Sequence, residues 1–103
     1  MTNTPWGEAD HREQIAEGIV RYGTPSHGGF HLSRERNQEV PTKYREFAAK
    51  WSKGWGDTWY EEDCAALAVV VTFPEHFPNV TDKDYEVLRG VLDDYVKDPI
   101  EPR

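Results

Sequence analysis

The chain has 103 residues, with 19 acids against 12 Lys and Arg and a single cysteine. That length gives room for one domain, and one cysteine excludes an internal disulfide. Aromatic residues make up 13% of the chain, which argues against a disordered segment, and the longest apolar run, residues 65–71, falls far short of the roughly 20 residues a membrane helix needs. The formal charge of −7 is polarised: residues 1–56 carry seven acids and eight bases, residues 57–103 twelve acids and four bases. Direct binding of the C-terminal half to nucleic acid is therefore not expected, and a partner with a basic surface suits it better. No signal peptide or lipidation motif is legible, so the cytoplasm is the expected compartment.

In chain order, residues 1–7 read as an N-terminal arm pinned by Trp6, and Asp10 to Gly18 as a helical turn or irregular lead-in, with Ile15 and Ile19 four apart and Gly18 interrupting. Ile19 to Thr24 has strand composition, and Phe30 to Ser33 alternates apolar with polar. The Pro25-Ser26-His27-Gly28-Gly29 segment between them predicts a β-hairpin with the glycines in its turn. Ser33 caps a short helical turn over Arg34 to Arg36. Pro41 fits the first position of a helix, whose apolar stripe is Tyr44, Phe47, Ala48 and Trp51 and whose end falls near Gly54.

Trp55 to Asp57 then form a turn. Thr58 and Glu61 have capping-box spacing, and Glu61, Glu62 and Asp63 would favour a helix dipole, so a buried helix is expected to start there and run through Cys64 to Phe73. The β-branched run over residues 69–72 leaves a buried strand as the alternative. Pro74 and Pro78 break the chain. Thr81 and Asp84 make a weaker capping pattern for a last helix with a stripe of Tyr85, Leu88, Leu92, Tyr95 and Val96, followed by a frayed tail over residues 98–103. The fold class expected is α+β, a small single domain with an N-terminal β-hairpin packed on about three helices.

Several side chains carry the elements of chemistry. His27 and His31 flank the glycine pair, and two imidazoles with a carboxylate would make a metal site. A hydrolytic or metal-dependent centre would join them to Glu62 or Asp63, provided the hairpin turn packs over the start of the 61–73 segment. Successive helical residues point about 100° apart, so the acidic triplet by itself cannot converge on one ion. Cys64 is followed by Ala65, Ala66 and Leu67 and reads as a small buried hydrophobe. Trp51, Trp55, Trp59 and Tyr60 with Lys50 and Lys53 form the chain's basic-aromatic patch, with core packing as the simpler account. An interaction surface is expected over Trp55, Trp59, Asp82, Asp84, Asp93 and Asp94. No cofactor is expected.

Three motifs stand out together: Thr4-Pro5-Trp6-Gly7, Thr24-Pro25-Ser26-His27-Gly28-Gly29 with Leu32-Ser33, and Trp59-Tyr60-Glu61-Glu62-Asp63-Cys64. In this combination the chain resembles an uncharacterised domain family of bacteriophages and bacterial mobile elements, over about residues 4–78. The resemblance implies a small intracellular protein of phage origin, which in such proteins often means binding a host protein, and it supplies no catalytic residue. The leading expectation is a non-enzymatic binder or modulator of a host protein. The alternatives are a small metal-dependent or hydrolytic enzyme using His27, His31, Glu62 and Asp63, and a structural homo-oligomer.

Overall fold

The computed structural model describes residues 2–52 and 54–97; Lys53 and the tail expected over residues 98–103 lie outside the described residues. A short ribbon of Asn3–Thr4 (β1) and Gly7–Glu8 (β2) leads into an antiparallel sheet of His11–Ala16 (β3), Ile19–Gly23 (β4), Gly28–Leu32 (β5) and Trp59–Glu61 (β6), ordered β3-β4-β5-β6. Helices Arg34–Gln38 (α1) and Thr42–Trp51 (α2) connect β5 to β6, and Ala66–Thr72 (α3) and Asp82–Lys97 (α4) complete the α+β fold.

The β4–β5 hairpin forms as its composition predicts, but its glycines are not the turn. Gly28 and Gly29 pair with Gly23 and Tyr22 inside the ladder, and Thr24 to His27 make the connection. The Thr24 hydroxyl accepts from the His27 N–H at 3.0 Å and donates to the His27 carbonyl at 2.6 Å, a threonine turn that fixes the loop from within. Gly29 is required for a different reason. A Cβ there would stand 2.5 Å from Trp6 Cη2 and would also collide with the Tyr60 carbonyl, so only glycine allows the N-terminal arm and β6 to approach β5 from two sides.

The lead-in over residues 10–18 is a strand. His11 to Gln14 are exposed, so no apolar alternation marks β3, and its pairing with β4 from His11↔Gly23 to Ala16↔Ile19 defines it instead. Charged side chains on this outer strand discourage further strand addition. Gly18 closes the tight turn between β3 and β4 at φ +80°, a left-handed conformation that suits glycine. The N-terminal arm is likewise a paired ribbon rather than a plain extended segment, with the Thr4 hydroxyl donating to the Gly7 carbonyl at 2.7 Å.

The principal correction concerns Trp59 to Glu61. These residues form β6 at the sheet edge, with Tyr60 opposite Phe30 and Trp59 opposite His31. The Thr58–Glu61 capping box therefore does not exist; the Thr58 carbonyl accepts from the Leu32 N–H at 3.0 Å and extends the sheet. Capping spacing and strand alternation coincide over these few residues, and the exposed edge of β5 decides between them. The helix begins later, at Ala66, and continues through residues 69–72 as helix, where burial of Ala68, Val69 and Val71 outweighs the β propensity of the valines.

Strand pairing sorts the side chains into two layers, because directly opposed residues share a face. Ile19, Phe30, Leu32 and Tyr60 face the helices and join Val40, Tyr44, Phe47, Val69, Phe73 and Leu92 in the main core. Tyr22, Gly29, Trp59 and Glu61 face the other way, where Trp6, Ala9 and Val20 form a second cluster with Tyr22 and Trp59.

The remaining helices follow their sequence signals. The Ser33 hydroxyl accepts from the Arg36 N–H at 3.2 Å and caps α1. Pro41 occupies the cap position of α2, one residue before the helix. Thr81 and Asp84 cap α4 reciprocally, through Asp84 N–H to Thr81 Oγ1 at 3.1 Å and Thr81 N–H to Asp84 Oδ2 at 3.3 Å. Leu92 is fully buried, and the Tyr85 hydroxyl donates to the Val71 carbonyl at 2.8 Å, tying α4 to α3.

Candidate functional site

The three sequence motifs meet at one corner of the sheet. Trp6 lies on Gly29 and stands edge-on to Trp59 with ring centroids 5.9 Å apart. The Glu62 N–H donates to the Gly28 carbonyl at 2.9 Å, which draws the residues after β6 beside the Thr24–His27 turn. His27 thereby joins Glu61 and Asp63: a nitrogen of the imidazole and one oxygen of each carboxylate all lie within 4.8 Å of one another.

The members of this group differ in freedom. His27 and Asp63 are exposed. Glu61 is 4% exposed, and its carboxylate is held by the chain that follows it, accepting from the Asp63 N–H at 2.8 Å and the Cys64 N–H at 3.3 Å. Burial raises the Glu61 carboxyl above its usual range, the two N–H donors oppose the shift, and the neighbouring Asp63 charge adds to it. Among the described residues no Lys or Arg lies within ion-pairing distance of Glu61. A carboxylate oxygen that accepts one N–H retains a lone pair, so Glu61 can also ligate a cation.

Glu62 is exposed and its carboxylate lies against Gly28, 3.0 Å from where a Cβ would stand; the structure puts it outside the cluster. His31 is outside it too. It is half-buried on β5 with its ring 4.4 Å from that of Trp59, and burial lowers its pKa. Cys64 is buried, and burial together with the charges of Glu61 and Asp63 pushes its thiol up, which leaves it a poor nucleophile. From the sequence, Glu61 reads as a helix-start carboxylate of the acidic triplet, and Glu62 or Asp63 takes its place at the site. The signal that identifies Glu61 is the Trp59-Tyr60-Glu61 alternation, which aims it to the face opposite Tyr60.

The expected interaction surface divides. Trp55 is 45% exposed and packs edge-on against Trp59, whereas Trp59 is buried between Tyr22, His31 and Trp6 and is withdrawn from that surface. Asp82, Asp84 and Asp94 are exposed on α4. Asp93 is engaged internally, accepting from the Tyr44 hydroxyl and lying 3.5 Å from Lys43 Nζ. No described helix is long and apolar enough to cross a membrane.

The chain belongs to the family described as a domain of unknown function (DUF7007), whose model matches residues 1–101. That match includes α4, which lies beyond the span of the sequence motifs. No curated protein and no solved structure matches the chain.

Proposed function

We propose that this chain is a binding protein whose functional corner holds a divalent cation on His27, Glu61 and Asp63. The observation that carries this reading is the approach of the three donor atoms to within 4.8 Å of one another. Two donors sharing one Zn²⁺ at about 2.0–2.1 Å sit about 3.4 Å apart in tetrahedral geometry. The exposed His27 and Asp63 have the freedom to close that gap onto the fixed Glu61. The imidazole favours Zn²⁺ or a similar transition ion over Ca²⁺ and Mg²⁺, which prefer oxygen ligands. Three protein ligands leave a coordination position open to solvent or to a partner's donor group. The buried Cys64, its thiol pushed up by burial, supplies no nucleophile beside the cluster.

Calorimetric titration of metal-free protein with Zn²⁺, Mn²⁺ and Ca²⁺ tests this. One Zn²⁺ per chain is expected, with affinity reduced at least tenfold by His27→Ala and by Asp63→Asn, two surface changes that leave the packing intact. Absence of saturable binding, or binding indifferent to both substitutions, rejects the reading.

A second observation favours a protein partner. Val87 and Val91 are 58% and 38% exposed on the outer side of α4, on a helix whose exposed acids include Asp82, Asp84, Glu86 and Asp94. Apolar side chains rimmed by acids suit a partner with a basic, partly apolar surface, in keeping with a phage or mobile-element protein acting on a host factor in the bacterial cytoplasm. A pull-down from bacterial lysate should recover one protein at moderate salt and lose it with Val87→Lys/Val91→Lys; equal recovery by both forms counts against it.

A further inference from the structure

We infer that the groove between α1, α2 and the β5–β6 edge binds the phosphate group of a small phosphorylated ligand. The groove is distinct from the His27 corner, is an open hollow of about 610 Å³ and is lined in part by His31, Arg34, Asn37, Arg45, Asp57 and Thr58. That volume is within the range of about 300–1,000 Å³ typical of small-molecule sites.

Its charge runs against that of the protein. In a chain with a net charge of −7, this groove collects two guanidiniums and, as its one acid among the described residues, Asp57. Solubility does not account for such a local reversal. Arg34 is exposed at the start of α1, while Arg45 on α2 is half-buried. Arg45 Nη2 donates to Thr42 Oγ1 at 2.8 Å, but its Nε–H is buried with no acceptor. A buried donor without a partner is uncommon in folded proteins, and an anionic oxygen that reaches Arg45 would supply the missing acceptor. Asn37 is buried and its carboxamide oxygen accepts from the Tyr60 hydroxyl, so the end it offers to the groove is its amide NH₂, a further donor.

Two guanidiniums from separate helices, with the Asn37 amide lining the same groove, suit a group that presents several oxygens in different directions. Phosphate does so, whereas a carboxylate presents two in one plane. His31 lines the same groove, with its ring packed on that of Trp59. Asp57 opposes any anion and weakens the site.

An NMR titration of the full chain tests the assignment, with inorganic phosphate, acetate and chloride compared at constant ionic strength. Phosphate should produce saturable shifts in the Nε–H resonances of Arg34 and Arg45 and in the Asn37 side-chain amide, with smaller shifts from acetate and chloride. Arg34→Gln, at an exposed position, should weaken phosphate binding at least fivefold, and Asp57→Asn should strengthen it, the rest of the spectrum reporting an unchanged fold. Phosphate shifts that match those of chloride or acetate, or binding unmoved by both substitutions, overturn the proposal.

Discussion

The indole of Trp6 lies so close over Gly29 that a Cβ at residue 29 would stand 2.5 Å from its Cη2. This contact seats the N-terminal ribbon on the sheet, and the Tyr60 carbonyl crowds the same point from β6. Gly29→Ala should therefore cost about 3 kcal/mol, at the upper end for overpacking, because backbone as well as side chain must move. Trp6→Ala in the same chain should recover only part of the loss, since the carbonyl clash persists. Gly90→Ala provides the contrast: on α4, with no atom within 4 Å of its Cβ position, it should stabilise by about 0.5–1 kcal/mol. Urea denaturation measures all three.

Glu61 makes stability depend on pH in an unusual direction. Its carboxyl is raised above the ordinary value of 4.5, chiefly by burial, so the folded chain holds its proton more tightly than the unfolded chain does. The stability it contributes is complete below the unfolded pKa and is lost as pH rises through the higher folded value. Glu61→Gln should flatten that decline in denaturation profiles recorded from mildly acidic to neutral pH. Added Zn²⁺ should flatten it in the native chain and have no effect in Glu61→Gln.

The Tyr60 hydroxyl donates to Asn37 in the interior, linking β6 to α1. Tyr60→Phe leaves the buried Asn37 oxygen without its donor and should cost about 1–3 kcal/mol by denaturant unfolding. A double Tyr60→Phe/Asn37→Leu chain should recover part of that loss, because no polar atom is then left unpaired.

Tyr44 and Asp93 join α2 to α4 and should be visible spectroscopically. Burial, reinforced by the bond to Asp93, pushes the Tyr44 phenol up to about 12, and the same bond holds the Asp93 carboxyl below its usual range. The contribution of Asp93 to stability is therefore present above its unfolded pKa and lost as pH falls through its lower folded value. That of Tyr44 is lost as pH rises toward 12. Ultraviolet titration of the phenolates should show one tyrosine moving to lower pH in Asp93→Asn, though not to its ordinary value, because burial remains.

Local physics made several elements legible in the sequence alone. Ser33, the apolar stripe of α2, the Thr81–Asp84 cap and the spacing from Tyr85 to Leu92 are each complete within a few residues, and each forms as its chemistry directs. The composition around Gly28-Gly29 likewise foretold a hairpin. Residues 11–16 depended on pairing with the strand that directly follows them, and residues 59–61 on a partner far along the chain. A strand without apolar alternation is defined only by the neighbour it pairs with, and Trp59 to Glu61 become a strand because β5 offers them an unpaired edge. That one assignment carries Glu61 from a helix cap to the buried member of a three-donor cluster beside His27, and the packing of α1 and α2 assembles the arginine groove from residues 11 positions apart. Side-chain identity set which chemistry was available; strand pairing and helix packing decided which of those groups meet, because convergence is a property of distance in space and not of order along the chain.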